Sequence, residues 1–498
     1  MSITTIKSTI KPHILYAVPP REGHMRPALQ IATHLISHSF SVTIISTPSW
    51  RIYIESIGAK YAPIIGRWNT LDDYRRWPKI AFAETGEERL RASLAGGFVG
   101  LLVSGWMSVR GALEEMRVRS GGDGEDVEQP GERMIVVLSD TCFSGTLALK
   151  LGADLPAGLE GGNGMQIKTL GVGVVPVYWA DALRPPWGSG VEFDGSEEGK
   201  LWNLAAHERV WDQQAEEMGR EVLEMLSCTR TVDELYEKYR SDSYPDLKRP
   251  FWDATTVCHD ATLQMCLPNL EYPAMNWPEH VNFAGPLPIK PLPGDLVYPE
   301  WFEEVRRSGS EDSEQLPERR KVILVAQGTE SLDYNDLVIP TIRSLANHPS
   351  VLVIAILCVK GAFLSPTHFA GNIIPSNARI IDYFPYDAVL AHADAFVSSS
   401  GYGGLTHAIG NGVPMVQAGK NFDKPDIGRR IERCGLGLFL PDMPLDDEEL
   451  TAVVLRVLRE ERFRERALEL KEEAGTYRAL ETVEKEILTL VEEMNQRR

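Results

Sequence analysis

Four short segments of the chain carry residue types that could do chemistry at one place. Gly23-His24, followed by Pro27, brings an imidazole, the side chain whose ordinary titration falls near neutral pH. Asp140 brings a carboxylate just past the apolar run Met134–Leu138. Gly328-Thr329 follows a second such run, Val322–Ala326. The fourth segment, Ser399-Ser400-Gly401-Tyr402-Gly403-Gly404, lies between the apolar run Ala395–Ser398 and a helical pattern reaching Ile409. Small residues there let backbone N–H groups approach a diphosphate, and the helix dipole favours its negative charge. Each segment also has a plain alternative. His24 can be an incidental loop histidine, Asp140 a helix N-cap before Thr141–Leu151, and the glycine segments simple strand-to-helix turns. No Asp-x-Asp pair ends an apolar run; Asp123-Gly-Glu125 falls in the acidic stretch Ser120–Arg133 and reads as solvated. No metal is therefore expected, and backbone amides would take the place of a cation.

The elements that must position these residues are legible as alternating strands and helices. His13–Val18 is a compact apolar run, which reads as a parallel strand buried on both faces. Ala28–Ser37 repeats Leu29, Ile31, Ala32, Leu35 and Ile36 at helical spacing, with Gly23–Pro27 as the loop before it, and Ser41–Ser46 is the next strand. Such a βαβ unit implies a right-handed crossover and a parallel sheet. The same pattern restarts at Val322 and continues through Val351–Cys358, Arg379–Asp382, Ala395–Ser398 and Pro414–Gln417, with helices from Asp446 to Met494. Between the halves lies a proline-rich bridge, Pro286–Pro317. The class is α/β, with two Rossmann-like domains, and ligands of such sheets bind where the strands end.

Composition narrows the function. The 498 residues exceed what one core supports, and 43% hydrophobic with 24% charged residues is an ordinary globular mix. Lys plus Arg number 51 against 70 Asp plus Glu, a net charge of −19, which disfavours nucleic acid and anionic lipid as partners. Cys142, Cys228, Cys258, Cys266, Cys358 and Cys434 form no CxxC pair and read as reduced thiols. The first residues lack the apolar core of a secretory signal, and no apolar run is long enough to span a bilayer. A cytoplasmic protein with no integral membrane segment is expected.

With these elements laid out, the chain resembles the inverting, nucleotide-sugar-dependent glycosyltransferases known as UDP-glycosyltransferases. The resemblance runs over nearly the whole length and is strongest at Pro19–Pro27, Asp140, Gly285-Pro286-Leu287 and from Tyr383 to Gly437. The last stretch carries Tyr383-Phe-Pro385, Leu390, His392, Asp394, Phe396, Gly401, Gly403, Gly412-Val-Pro-Met415, Asp423 and Gly435-Leu-Gly437 in the order of the family's donor signature. The resemblance implies two facing Rossmann-like domains of the GT-B type. The expected divisions are an acceptor domain over 1–288, a linker over 289–318, a donor domain over 319–462, and a terminal helix over 463–498 returning to the first domain.

It also implies roles. His24 stands at the position of the base that deprotonates the acceptor, and Asp140 at that of the carboxylate that holds the imidazole. Tyr383 stands where a ring stacks on uracil, Gly328 and Thr329 near the diphosphate, and Asp423-Lys424 where an acid–amide pair reads sugar hydroxyls. The sequence departs from the family at four of these positions. Ser399 replaces a histidine, Gly404 a hydroxyl residue, His407 a ribose-binding glutamate and Lys424 a glutamine. Ser400, Gly401, Tyr402 and Gly403 would carry the diphosphate on backbone N–H groups. The implied reaction moves a hexose from a UDP-sugar to a small hydrophobic acceptor such as a terpenoid, polyketide or lipid, without a metal or other cofactor. Two alternatives stay open: a nucleotide-sugar epimerase or hydrolase, with Glu22 as the needed carboxylate, and a non-catalytic relative that binds a partner or lipid.

Overall fold

The computed structural model describes residues 11–66, 99–119, 134–156, 159, 166–211, 213–240, 243–244, 247–309, 320–328, 333–399, 401–420 and 423–496. Within them, apolar runs rich in Val, Ile and Leu pair into two parallel sheets. The first contains β1 (His13–Ala17), β2 (Ser41–Ser46), β3 (Lys60–Pro63), β4 (Met134–Asp140), β5 (Gln166–Gly173), β6 (Ala261–Gln264) and β7 (Val281–Phe283), in the order β3-β2-β1-β4-β5-β6-β7. The second contains β8 (Lys321–Ala326), β9 (Val351–Ile356), β10 (Ala378–Ile381), β11 (Ala395–Ser398), β12 (Met415–Ala418) and β13 (Gly437–Leu440), in the order β10-β9-β8-β11-β12-β13. Each sheet reverses its winding beside its own first strand, between β1 and β4 and between β8 and β11. Those are the topological switch points at which doubly wound sheets bind ligands.

Burial explains why the strands read as continuous apolar runs. Along β1, Ile14 and Tyr16 pack on one side with Met25, Leu29 and Leu35 of the first helix, while Leu15 and Ala17 pack on the other with Trp106, Leu113 and Phe143. Alternate residues thus feed two cores, and each fully buried side chain contributes about 1.5–3 kcal/mol. The second sheet repeats this plan, with Val322 and Leu324 on one face and Ile323 and Val325 on the other.

Three expectations about the elements need correction. The first helix begins at Glu22, not Ala28, and runs to Ser37 with Pro27 inside it. Pro27 is the sixth helical residue and forgoes the bond its N–H would have made to Gly23 O, yet the helix runs through it, so His24 lies on the first helical turn and not in a loop. The stretch read as linker contains a helix, Phe302–Gly309, whose Phe302 and Val305 enter the core of the second sheet. The return to the first half starts later than Phe463. Phe463, Ala467 and Leu470 of the Glu461–Thr476 helix stay with the second half, because they complete apolar clusters holding Leu405, Ala408 and Val454. Only the Ala479–Gln496 helix crosses, burying Val483, Ile487, Leu490, Val491 and Met494 beside Ile14, Tyr16 and Met134. The two crossings touch. Gly285 has φ +82°, and a Cβ there would fall 2.2 Å from the Cβ of Tyr477.

Candidate active site

The parallel register of β1 and β4 sets Ala17 beside Ser139, so the residues leaving both strands emerge side by side. On one of them the helix carrying His24 begins; the other ends in Asp140. Their side chains meet, with His24 Nδ1 2.8 Å from Asp140 Oδ2. Asp140 is only 3% exposed, and His24 keeps 18% of its side chain open. The second carboxylate oxygen accepts the Cys142 N–H at 2.8 Å, which fixes the plane of the carboxylate. An ionised carboxylate only accepts hydrogen bonds, so the shared proton sits on Nδ1 and Nε2 carries the lone pair. Burial pulls the imidazole pKa down, but the charge and hydrogen bond of Asp140, with Asp423 opposite, outweigh it and raise it above the ordinary histidine value. Asp140 does not cap the following helix, which spans Gly145–Lys150 behind Ser144.

Cys142 adjoins this pair. Burial pushes its thiol well above the usual range, the Asp140 charge adds to that, and its Sγ lies 3.0 Å from the Tyr178 hydroxyl. The ligand atoms of His24, Asp140 and Cys142 lie within 4.8 Å of one another. With the thiol held protonated and Nδ1 engaged by Asp140, their chemistry is that of a hydrogen-bonded relay. Tyr178 packs edge-on to Trp187 at 4.9 Å, an aromatic wall beside the relay.

The second half contributes the loops after β8, β11 and β12. Gly328 follows β8 with φ +76°, a conformation open to glycine. Ser399 follows β11, is only 8% exposed, and its Oγ is buried with no hydrogen-bond partner among the described residues. The helix Tyr402–Asn411 starts next, with Gly401 as its N-cap. A Cβ on Gly403 would meet nothing within 4 Å, so this turn faces open space. Gly404 differs: it is buried, and its N–H donates to Gly401 O at 3.0 Å. The Tyr402 phenol is also turned inward, accepting from Gln264 Nε2 of the first half at 3.2 Å. That leaves the Tyr402 and Gly403 N–H groups and the Ser399 hydroxyl as the groups suited to an anion at this helix start. Thr329 and Ser400 lie outside the described residues.

Asp423 precedes the Lys424–Cys434 helix without capping it through its side chain. Its carboxylate instead takes the Lys424 ammonium at 2.7 Å. A Cβ on Gly401 would stand 3.1 Å from Asp423 Oδ2, so the glycine lets this turn lie against the acid–lysine pair. Tyr383 is 48% exposed, not a core residue like its neighbour Phe384, and the Lys360 ammonium sits 5.3 Å over its ring. His407 Nδ1 lies 2.8 Å from Asp387 Oδ1, which also accepts from Asn411 Nδ2 at 2.8 Å, so its ring is held against the neighbouring helix Tyr386–Leu390.

Sequence reasoning missed what aims the Lys424–Cys434 helix. Glu271, from the first half, is buried and receives Arg430 Nη2 and Arg184 Nη2, each at 2.9 Å. Burial alone would raise the Glu271 carboxyl, yet the two guanidinium groups hold it below its usual value. One turn back along that helix, Asp426 accepts the Gly188 N–H, and burial pushes its carboxyl up to about 7. The i,i+4 spacing of Asp426 and Arg430 was visible in the chain, but their buried partners were not.

Comparison with known proteins agrees with this geometry. Residues 367–492 match the C-terminal domain family of erythromycin biosynthesis protein CIII-like proteins. The solved structure of CalG4, the calicheamicin glycosyltransferase, superposes with a TM-score of 0.61 at 17% identity, covering 96% of this chain and 97% of its own. The architecture is therefore the GT-B fold, α/β with two facing sheets. UDP-glucosyltransferase avaP of Aspergillus versicolor is 28% identical over 488 residues, 97% of either chain. UDP-glucosyltransferase 1 of Beauveria bassiana is 30% identical over 479 residues, which is 95% of this chain and 94% of the relative. A likeness of that extent, carried by a chain with this fold, makes the protein a member of the UDP-glycosyltransferase family.

Proposed function

We propose that the protein transfers a hexose from a UDP-sugar to a hydroxyl of a small hydrophobic acceptor, with inversion. The observation that carries this reading is the His24–Asp140 pair, 2.8 Å apart at one switch point and facing the Asp423 carboxylate of the other half. In the reaction, Nε2 of His24 takes the acceptor O–H proton as the oxygen attacks the anomeric carbon. The bond from that carbon to the diphosphate breaks, and UDP leaves with the electron pair. A single displacement inverts the anomeric centre. Asp140 stabilises the imidazolium that forms, without itself taking the proton.

The diphosphate is held by Ser399 Oγ and the N–H groups of Tyr402 and Gly403, which neutralise the leaving charge with no metal. Tyr383 stacks on the base, Gly328 approaches the phosphates, Gly401 shapes the turn, and His407 lies near the ribose; Thr329 and Ser400, outside the described residues, keep the diphosphate roles that the family resemblance implies. Asp423 and Lys424 read the sugar hydroxyls, and Gly404 serves by ordering the turn. The aromatic wall of Tyr178 and Trp187 beside Cys142 suits an apolar acceptor. The names of the relatives as UDP-glucosyltransferases support the donor class.

The test is incubation of the purified protein with UDP- and dTDP-sugars and a panel of terpenoid, polyketide and lipid alcohols, following nucleotide release. Proton NMR of the product reads the anomeric configuration. The reading stands if UDP is released only with acceptor and an α-linked donor gives a β-linked product. Retained configuration defeats inversion. If UDP and UDP-sugars at millimolar concentration leave thermal stability unchanged, the donor assignment fails.

A further inference from the structure

The first helix has a second pair of histidines far from the cleft. His34 lies in its last turn and His38 is its C-cap residue, four positions on. That spacing stacks both rings on one helix face, and their centroids are 4.3 Å apart. From the terminal helix, Glu484 reaches the same point. His34 Nε2 lies 3.0 Å from Glu484 Oε2, and His38 Nδ1 hydrogen-bonds the same oxygen. All three ligand atoms fall within 4.8 Å of one another.

We propose that His34, His38 and Glu484 form a binding site for one zinc-class divalent ion, which joins the terminal helix to the first. Two imidazoles and one carboxylate are the donor set of zinc and its transition-metal neighbours, whereas calcium and magnesium want an all-oxygen shell. Bonds of about 2.0–2.1 Å in tetrahedral geometry need ligand atoms a little over 3 Å apart, and His34 Nε2 and Glu484 Oε2 already stand 3.0 Å apart. The His34 and Glu484 side chains are mostly covered, and His38 is 45% exposed, which gives the ion an entry path and room for water as a fourth ligand. Each facing ring nitrogen gives its lone pair to the metal while its proton shifts to the outer nitrogen or to solvent. The seam beneath is already apolar, through Val483 and Ile487, so the polar trio adds nothing that packing requires. The net charge of −19 draws cations to the surface.

The experiment uses the full chain stripped with a chelator, then titrated with zinc chloride by calorimetry and with cobalt(II) by visible absorption. The expected result is one zinc per chain, a raised melting temperature, and cobalt bands of a four- or five-coordinate site. His38→Ala and Glu484→Gln should each weaken zinc binding by more than the ~10–100-fold that loss of an outer partner costs. His24→Ala should retain it, because the other three-ligand cluster, His24 with Asp140 and Cys142, is a separate place. Absence of saturable zinc binding in the wild type overturns the proposal. So does binding that survives both His38→Ala and Glu484→Gln, or that is lost in His24→Ala. Circular dichroism confirms that the compared variants are folded.

Discussion

Replacing Ser399 by alanine should weaken nucleotide binding while leaving the stability of the ligand-free protein nearly unchanged. The Ser399 Oγ is buried just past the end of β11 and has no hydrogen-bond partner among the described residues. Water fills the diphosphate cleft when no ligand is bound and can serve this hydroxyl, so removing it should change the stability of the ligand-free protein by no more than about 1 kcal/mol. With a diphosphate bound, the same hydroxyl donates to a charged oxygen, and such a bond is worth about 1.5–3 kcal/mol. The alanine variant should therefore bind UDP roughly ten- to a hundredfold more weakly. Calorimetric titration with UDP gives the affinity, and denaturant unfolding without ligand gives the stability. A serine needed by the fold would lose well over about 1 kcal/mol on substitution, and an anion site elsewhere would leave UDP affinity unchanged. Either outcome refutes the role assigned to this hydroxyl.

Other perturbations probe the remaining parts of the site. His24→Ala should lower turnover by at least about a hundredfold, the lower range for a lost general base, while UDP affinity measured by calorimetry barely changes. The raised pKa of His24 implies that kcat/KM falls as pH drops through a value above the ordinary histidine pKa. Asp140→Asn removes the charge that raises it, so the acid limb of the profile should move to lower pH even as maximal turnover drops. The sign for stability is opposite to that for activity: the His24–Asp140 interaction favours the imidazolium, is fully present below the unfolded histidine pKa, and is lost as pH rises through the raised folded value. Gly403→Val, which fills open space at the helix start, should abolish the thermal shift by UDP without unfolding the protein. Glu271→Gln leaves Arg430 and Arg184 buried without their shared anion and should cost about 3–5 kcal/mol in unfolding experiments.

How far the chain could be read differs between strands and site. Buried parallel strands such as Ile14–Ala17 and Val322–Ala326 announce themselves because both faces must be apolar. The meeting of His24 and Asp140 follows from the strand order, which sets β1 beside β4 although 116 residues separate the two side chains. What escaped depends on side-chain direction. Nothing in Ser400–Gly404 tells that the Tyr402 ring turns inward to Gln264 or that Gly404 spends its N–H on Gly401. The Lys424 pairing with Asp423 could be guessed from adjacency, but the burial of Glu271 beneath two arginines could not. The start of the first helix was misread because a proline ordinarily marks a helix boundary, whereas here the helix runs through Pro27. The crossing point near Tyr477 was hidden because Ala467 and Val483 present similar apolar stripes, and only the surface they meet tells them apart.

The position of the last helix bears on how the protein is made. The core beneath β1, β4 and β5 takes Val483, Ile487, Leu490, Val491 and Met494 from the final twenty residues of the chain. A ribosome that has released β1 through β7 has therefore released an unfinished domain, whose apolar seam waits through the synthesis of the whole second half. During that interval, at ~5–20 residues per second, the seam is exposed to aggregation or to a chaperone. Nascent chains stalled short of Ala479 should then be protease-sensitive in the first half, although every strand of its sheet has been made. The two halves are separable as sheets but not as products of translation.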